Sequence, residues 1–482
     1  MIISFPPLTR KLGRALVPGL AMAATALWLW SCLCRFPVYG WNAIRLAPSF
    51  MWHAGVNPFP GPSAGPVTTW IYGPFPLILQ WPATLMHDAA SALLAAGVIN
   101  VLLAVVPLAV AIEVQAAPTV SRLARVTALL LTLVCWPAVN LIFCQAGNTA
   151  IACGLLAGAI VIGAAPRDSG RLWAAAALAT LALWSRQTEL GPVLGQIVYL
   201  GLRHGARAAV AQTLRTAATG GLWGLVFCGL FGADGLIYNM FVIPAALPFL
   251  TFADKVRSLV YVGDIAAYLL AYLLIPAVVV AVRARRLFQR DHPALAPVLV
   301  FACSVPFDLA GFFTVGGNIN SFHSAVYLLP ATALWLTGYK RGAGGWSWLA
   351  PAGLALALAL QCVPLGPWPM RPQLAGLRQG AALARQLPEQ VYFPWNPLLT
   401  YFSDGRFYHV EDGLITRALA GRPVPPAVVK ACLPPAMCVV AYHRYAIVSF
   451  VRSLIPPDAK RDTFGEWILF SWPPPAAAPA AP

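Results

Sequence analysis

Arg186 is the residue of this chain whose type and position are most informative about chemistry, because it lies on the side of the predicted topology where basic residues are scarce. It stands between two apolar runs, and Glu189 follows about one helical turn later. The forked donors of a guanidinium match phosphate well, but they match a neighbouring carboxylate equally well. Phosphate binding and an internal pair with Glu189 therefore both stay open.

Three further residues are candidates for proton transfer. Asp264 and Asp308 lie within apolar runs, where a carboxylate is costly and is either functional or hydrogen-bonded for structure. His323 titrates near neutral pH, so it could act as an acid or base, or it could cap the next helix. We retain Asp264, Asp308 and His323 as catalytic candidates.

Aromatic and amide residues gather in the segments that share a side with Arg186. Each alone is typical of a membrane anchor or a turn. Together they predict an outward-facing cavity in which aromatic rings and amides hold a sugar while a guanidinium holds a phosphate. The substrate-binding candidates beside Arg186 are Tyr72, Gln145, Asn148, Asn318 and Asn320.

The elements that must position these residues are membrane helices. The chain has 482 residues, of which 59% are hydrophobic and 10% charged, and its mean hydropathy is +0.71. These values exclude a soluble enzyme and predict an α-helical, polytopic transmembrane bundle. The net charge of +16 comes largely from short loops between apolar runs, which indicates membrane topology and no nucleic-acid partner.

Basic residues are concentrated in alternate loops, which places the amino terminus in the cytoplasm and the carboxyl terminus outside a plasma (inner) membrane. Three apolar runs separate the basic amino terminus from Arg122 and Arg125, although two segments on one side require an even number of crossings. The run 72–86 is short and contains three prolines, so we expect it not to span. About 11 spans result.

Composition divides the chain into four parts. We predict a cytoplasmic amino terminus (1–14), a transmembrane domain (15–364) with a long first outer loop (36–71), a small extracytoplasmic α/β domain (365–472) and a disordered Pro/Ala tail (473–482). Within the α/β domain, patterns predict a helix over 374–387 and strands over 391–393, 407–410 and 437–442.

The acidic residues and cysteines of the C-terminal part allow two further predictions. We expect Asp404, Glu411 and Asp412 to be solvated, and Cys432 and Cys438 could form a disulfide if this part is exported. The sequence contains no zinc spacing, glycine-rich phosphate loop or Ser/His/Asp signature, so neither a metal nor a cofactor is expected.

Four short motifs resemble the GT-C class of membrane glycosyltransferases, particularly the bacterial families related to glycosyltransferase 39 and 87. They are Asn57-Pro58-Phe59 followed by Tyr72-Gly73-Pro74-Phe75-Pro76, Gln145-Ala146-Gly147-Asn148, Arg186, and Gly317-Asn318-x-Asn320-Ser321-Phe322. The resemblance implies transfer of a sugar from a polyprenyl-phosphate donor, within membrane lipid, to a glycan, lipid or protein acceptor on the outer side.

The chain departs from that class at the catalytic acid. The class usually carries an Asp or Glu in the first outer loop, whereas here no acidic residue precedes Asp88 and Asn42 stands about where one is expected. Either Asp264 or Asp308 deprotonates the acceptor, or His323 or His53 does so, or the chain is not an active transferase.

Two alternatives of other classes are a transporter or flippase, with Asp264 and Asp308 as ion sites, and a non-catalytic subunit that binds lipid-linked glycans. No internal repeat is evident, and the polar candidates gather at one face instead of along a path, which favours the transferase.

Overall fold

The structure is a computed structural model that describes residues 40–68, 70–115, 146–165, 167–258, 295–317, 319–322, 371–443 and 451–474, with a few isolated positions between them. Its α-helices in the amino-terminal three quarters are α1 Gly40–His53, α2 Phe75–Gln80, α3 Ala89–Gln115, α4 Ala146–Gly163, α5 Ser169–Leu183, α6 Leu190–His204, α7 Ala206–Phe231, α8 Ala233–Ile237, α9 Ile243–Ala246, α10 Phe252–Ser258 and α11 Leu295–Phe313.

Four of these helices, α3, α4, α7 and α11, are long and apolar enough to cross a membrane. At 1.5 Å per residue, the 27 residues of α3 extend about 40 Å, more than a hydrocarbon core of about 30 Å. On α7, Leu214, Leu222 and Leu225 are exposed, as expected of side chains that contact lipid. The chain is thus an integral membrane protein, and the predicted spans over 15–34, 126–143, 259–282, 322–338 and 348–363 lie largely or wholly outside the described residues.

The segment 72–86 does not form a spanning helix. It forms only the six-residue α2 and a 3-10 helix, Trp81–Leu85. Pro76 is the second residue of α2, and Pro82 is the second residue of the 3-10 helix. Eleven helical residues reach at most about 20 Å, which is short of the bilayer core. This geometry agrees with the expectation that the segment stays at one membrane face.

Close contact between α6 and α11 depends on two glycines spaced four residues apart. A Cβ on Gly191 would lie 2.4 Å from the Ser304 Cα, and a Cβ on Gly195 would lie 2.6 Å from the Val300 Cα. Such small-residue seams let membrane helices approach backbone to backbone. The seam fixes α11 against the start of α6, directly after the Arg186 segment.

The C-terminal part forms helices α12 Arg371–Gln386, α13 Pro397–Asp404, α14 Glu411–Leu419 and α15 Pro426–Ala431, and strands β1 Val391–Tyr392, β2 Val439–His443, β3 Lys460–Phe464 and β4 Trp467–Ser471. The four strands form one sheet in the order β1-β2-β4-β3, parallel between β1 and β2 and antiparallel elsewhere. The predicted helix over 374–387 and the predicted strands over 391–393 and 437–442 therefore appear close to their expected positions, as α12, β1 and β2.

The predicted strand over 407–410 is wrong. In the structure this extended segment pairs outside the sheet, where the Val410 N–H donates to the Val67 carbonyl oxygen and the His409 N–H to the Cys432 carbonyl oxygen. Its apolar residues are buried against the first outer loop, so alternation alone did not distinguish it from a sheet strand.

The C-terminal part packs against the first outer loop through aromatic rings. Phe50 of α1 meets Tyr401 and Phe402 edge-on at 5.5 and 5.6 Å between ring centroids. Trp41 meets Trp395 in the same way at 5.2 Å. This packing joins α1 to the C-terminal helices in one hydrophobic core.

Candidate active site at the Arg186 turn

Arg186 lies in a sharp turn between helices α5 and α6. Helix α5 ends at Leu183, Arg186 takes an extended conformation (φ −152°, ψ 126°), and a 3-10 helix, Gln187–Glu189, leads into α6. The turn is closed by the Glu189 N–H, which donates to the Arg186 carbonyl oxygen at 3.1 Å. Both side chains are largely buried, at 8% exposure for Arg186 and 1% for Glu189, so the turn holds charged groups away from bulk water.

The Tyr72–Pro76 motif lies directly against this turn. The Gly73 N–H donates to the Ser185 carbonyl oxygen at 3.2 Å, and the Phe75 N–H to the Trp184 carbonyl oxygen at 3.5 Å. A Cβ on Gly73 would lie 1.7 Å from the Trp184 oxygen, so only glycine fits there. Tyr72 is half-buried and meets the Trp70 ring edge-on at 5.5 Å.

Gln187 ties two separate segments to the turn. Its Nε2 donates to the Ile71 carbonyl oxygen at 2.9 Å and to the Met240 carbonyl oxygen at 2.7 Å. The contact with Met240 falls in a π-helical segment, Tyr238–Val242, between α8 and α9. Sequence reasoning missed this positioning role, because nothing local indicates that an amide will bridge residues 53 and 116 positions away.

Asp308 lies on the face of α11 that is turned toward the Arg186 turn. Ser304, one turn earlier, packs on Gly191, and a Cβ on Gly311, one turn later, would lie 3.4 Å from Thr188 Cγ2. Residues i, i+4 and i+7 share one face of a helix, so Asp308 falls between these two contacts. Its side chain is 1% exposed. The structure therefore brings Asp308 and the Arg186 turn into one neighbourhood.

Lys255 anchors the glycine segment that follows α11, and sequence reasoning missed it. The Lys255 Nζ donates to the Gly317 carbonyl oxygen and lies 4.6 Å from the centre of the Phe312 ring. Lys255 is 2% exposed, and burial lowers its pKa. The one available signal was that few basic residues occupy the predicted outer loops. Pairing of 248–250 with 313–315 brings α10 here.

Of the remaining predicted site residues, the structure describes two, Asn148 and Asn320. Asn148 is buried, and its Nδ2 donates to the Asn100 Oδ1 at 3.1 Å, which joins α4 to α3 and favours a structural role. For Asn320 the structure describes only the backbone, in a 3-10 helix, Ile319–Phe322. Four candidates lie outside the described residues: Gln145, Asp264, Asn318 and His323.

The two other residues weighed as replacements for the missing acid occupy α1. Asn42 is completely buried, and His53 is exposed at the end of the helix, 5.9 Å from the Trp81 ring. Among the described residues, no group of three His, Cys, Asp or Glu side chains is arranged to hold a metal ion.

Glu411 is buried, so the expectation that it is solvated is wrong. It is completely inaccessible, and its Oε2 accepts a hydrogen bond from the Trp395 Nε1 at 2.8 Å. Burial, and then this carboxylate, raise the pKa of Tyr392 and of Tyr442. Asp404 and Asp412 are half-buried. Acidic residues in the first turn of a helix are usually predicted to be exposed to solvent. Helix α14, however, begins inside a cluster of aromatic side chains.

Arg417 and His409 fasten α14 and its approach to the first outer loop. Arg417 is 2% exposed; its Nη2 donates to the Pro60 carbonyl oxygen at 2.9 Å and its Nη1 to the Gly61 carbonyl oxygen at 3.2 Å. The His409 Nδ1 accepts from the Val67 N–H at 2.9 Å, while its Nε2 lies 3.1 Å from the Val428 carbonyl oxygen. These contacts require the neutral imidazole with its proton on Nε2.

Burial lowers the pKa of His409, with the nearby Arg417 charge as a further cause. A proton on Nδ1 would place two N–H donors against each other. Because the unfolded chain binds this proton more readily, the stability that His409 contributes is present above about pH 6.5 and is lost as the pH falls below that value.

The disulfide between Cys432 and Cys438 does not form in the structure. Both are free thiols, and burial raises the pKa of each. The Cys438 Sγ instead lies 3.6 Å from the Gln390 Oε1, to which it donates.

No protein-family model and no curated protein matches this sequence. Among solved structures, the chain is similar to ArnT from Cupriavidus metallidurans in the apo state, with 12% identity, a TM-score of 0.59, and coverage of 95% of this chain and 97% of that chain. It is also similar to the same ArnT bound to undecaprenyl phosphate (14% identity, TM-score 0.47, coverage 95% and 97%).

A third similar structure is the apo oligosaccharyltransferase of Archaeoglobus fulgidus, with 12% identity, a TM-score of 0.46, and coverage of 88% of this chain and 69% of that chain. At these identities the likeness concerns the fold, and the apo ArnT match is the one that supports it. The chain thus shares its fold with ArnT, and this likeness is consistent with the GT-C resemblance of its sequence motifs.

Proposed function

We propose that this protein is a membrane glycosyltransferase that moves a sugar from a polyprenyl-phosphate donor to an acceptor on the outer side of the plasma membrane. The observation that carries the proposal is the convergence of three separated motifs on one buried turn: Arg186, the Tyr72–Pro76 segment packed on its backbone, and Asp308 of α11. ArnT, which shares this fold in its apo state, also binds undecaprenyl phosphate, and this supports a lipid-linked donor here.

Arg186 is the group suited to the donor phosphate. A guanidinium that is 8% exposed lies in a medium of low polarity, where its attraction for a phosphate is stronger than in water. The bond from the anomeric carbon to the phosphate oxygen breaks during transfer, so negative charge grows on that oxygen. A preorganised cation stabilises this charge most in the transition state.

Asp308 is the described carboxylate placed to act as the base. The acceptor hydroxyl or amine attacks the anomeric carbon, forming the new glycosidic bond while the polyprenyl phosphate departs with the electron pair of the broken bond. The acceptor proton passes to the Asp308 carboxylate. Asp264 and His323 remain candidates for the same step outside the described residues.

Lys255 acts in this proposal as a positioning residue. Its contact with the Gly317 carbonyl oxygen holds the segment that leads into 319–322, and a Cβ on Gly311 would lie 3.4 Å from the Ser321 Oγ of that segment. The outer-loop motif is thereby held beside Asp308. The acceptor class, whether glycan, lipid or protein, follows from the GT-C resemblance alone.

The transporter alternative is not favoured, because the described polar candidates gather at one end of the bundle, whereas a transport path needs polar groups along its length. A non-catalytic subunit that binds lipid-linked glycans would use the same Arg186 turn without a base. Turnover is the property that distinguishes this alternative from a transferase.

The test measures transfer of labelled sugar from polyprenyl-phosphate donors by the full-length protein in proteoliposomes, together with binding of undecaprenyl phosphate. We expect Arg186→Ala to lose both donor binding and transfer, by about 100-fold or more for transfer. Asp308→Asn should keep donor binding and lose transfer by about 100-fold or more. The matched controls Arg207→Ala and Asp168→Asn, both at the far ends of their helices from the turn, should keep both properties.

Three outcomes would contradict parts of the proposal. Donor binding without transfer in the intact protein would favour the binding subunit. Full transfer by Arg186→Ala would remove the phosphate role of the turn. Full transfer by Asp308→Asn would move the base to Asp264 or His323.

A further inference from the structure

A cleft of about 350 Å³ lies beside the proposed transfer site, between the first outer loop and the helix that follows α7. One wall is the loop segment 56–65, and the other is the segment 231–235. Its volume is at the lower end of the range for small-molecule sites, so it suits a single headgroup and not a long chain.

Hydrogen bonds hold the two walls of this cleft in place. The Asn57 Nδ2 donates to the Phe231 carbonyl oxygen at 2.8 Å, and the Asn239 Nδ2 donates to the Pro60 carbonyl oxygen at 2.8 Å. A Cβ on Gly235 would lie 2.1 Å from the Phe59 oxygen, so the walls meet backbone to backbone at the base. The cleft is therefore a built feature and not a gap between loosely packed loops.

One helical segment connects the cleft to the Arg186 turn. Gly235 lines the cleft, and Met240, five residues later, accepts the hydrogen bond from Gln187 next to Arg186. Five residues at 1.5 Å each span about 8 Å. The segment that lines the cleft is therefore the same one that the Arg186 turn holds through Gln187.

The charge of the cleft separates it from the phosphate-binding turn. Asp234, which is exposed, is the one ionisable residue among the described residues that line it, and the loop wall is rich in glycine and proline. Arg417 lies behind that wall, where it donates to carbonyl oxygens of Pro60 and Gly61, and it is not part of the lining. A carboxylate attracts ammonium and hydroxyl groups and repels phosphate.

We propose that this cleft binds the acceptor, and that the bound part of the acceptor is a hydroxyl-rich group carrying an amine, such as an amino sugar. The proposal rests on the transferase function, because only then must a second substrate lie next to the Arg186 turn. It assigns the two substrates to separate places by charge: the anionic donor to the guanidinium of Arg186 and the cationic or neutral acceptor to the carboxylate of Asp234.

The test measures binding of glucosamine, N-acetylglucosamine and glucosamine 6-phosphate to the purified full-length protein, by saturation-transfer NMR without any donor. We expect glucosamine to bind, and the acetylated and phosphorylated probes to bind at least several-fold more weakly. Asp234→Lys should weaken glucosamine binding by 10-fold or more. Gly61→Phe should do the same without a charge change, because the space beside Gly61 is open and a ring would fill the cleft.

Asp458→Lys is the matched control, since Asp458 is also exposed but lies in the C-terminal part, away from the cleft lining. Absence of glucosamine binding, equal binding of all three probes, or unchanged binding in both Asp234→Lys and Gly61→Phe would overturn the proposal. Undecaprenyl phosphate binding by the same samples distinguishes the two failures. Glucosamine binding without undecaprenyl phosphate binding contradicts the transferase proposal and leaves a glucosamine site in the cleft that is no longer an acceptor site, whereas donor binding without glucosamine binding contradicts the cleft proposal alone.

Discussion

Substitution of Gly73 by alanine tests whether the contact between the Tyr72–Pro76 motif and the Arg186 turn supports the site. The added Cβ would lie 1.7 Å from the Trp184 carbonyl oxygen and 3.1 Å from the Ser185 nitrogen. A carbon and an oxygen that are not bonded approach to about 3.5 Å at their best separation. The motif must therefore move by more than 1 Å, because the atom it meets is backbone and cannot rotate away.

The cost follows from what that movement breaks. The hydrogen bonds from Gly73 to Ser185 and from Phe75 to Trp184 are lost or weakened, at about 1 kcal/mol each. Overpacking adds about 1–3 kcal/mol. We therefore expect a destabilisation of about 3–5 kcal/mol if the fold is retained. A displacement of 1 Å at a reacting centre costs about 100-fold in rate, so transfer should fall by at least that factor.

The assay combines thermal unfolding in detergent with transfer of labelled sugar at a temperature where the variant is still folded. Gly221→Ala is the matched control, because its Cβ meets open space inside α7; it should leave transfer unchanged and should not lower the unfolding midpoint. A Gly73→Ala protein with an unchanged unfolding midpoint and full transfer would refute the argument that this backbone contact sets the geometry of the Arg186 turn.

Three further perturbations test other contacts. His409→Asn keeps an acceptor for the Val67 N–H but cannot titrate, so the loss of stability below about pH 6.5 should become shallower than in the control His87→Gln, as measured by thermal unfolding against pH; equal pH dependence would contradict the neutral-histidine contact. Arg417→Met should destabilise by about 3 kcal/mol and speed proteolysis of the first outer loop, whereas Arg422→Met, at an exposed site, should do neither; an uncut loop would show that Arg417 does not hold it. Gly191→Leu should lower the unfolding midpoint and abolish transfer, because the side chain would enter the α11 backbone; an active variant would contradict the glycine seam.

Sequence reasoning predicted the structure correctly where residue type and local spacing determine the conformation. Arg186 was predicted to lie between two apolar runs, and the structure places it in the turn between helices α5 and α6. The short length of 72–86 and its three prolines predicted a non-spanning segment, and the structure forms only short helices there. Such predictions use only the thickness of the bilayer core and the spacing of residues along the chain. They do not require knowledge of which distant segments are in contact.

Sequence reasoning failed where tertiary packing decides the environment. Gln187, Lys255 and Glu411 look like ordinary surface residues, yet each is engaged by a segment at least 16 positions away. Strand β3 was missed for a related reason: its residues Lys460–Phe464 are all exposed, so no apolar alternation marks them, and pairing with β4 alone makes them a strand.

Burial of Asn42 disfavours an ionised carboxylate at the position where the GT-C resemblance implies a catalytic acid. Asn42 is completely buried in α1, and its neighbours Trp41 and Ile44 pack in the cluster that contains Trp395. An ionised carboxylate at this position would lose its hydration inside packed apolar surroundings, at a cost of several kcal/mol. An amide carries no charge and avoids most of that cost.

The same packing changes which element can supply a base. Since the C-terminal helices cover α1, the first outer loop serves as a support for them and as a wall of the Asp234 cleft. Helix α11 approaches the Arg186 turn from another direction, because Gly191 and Gly195 let it come close. A carboxylate on α11 can therefore reach the reacting centre without crossing the aromatic cluster. Asp308 occupies that face, and this is why we propose the base on α11 and not at position 42 of α1.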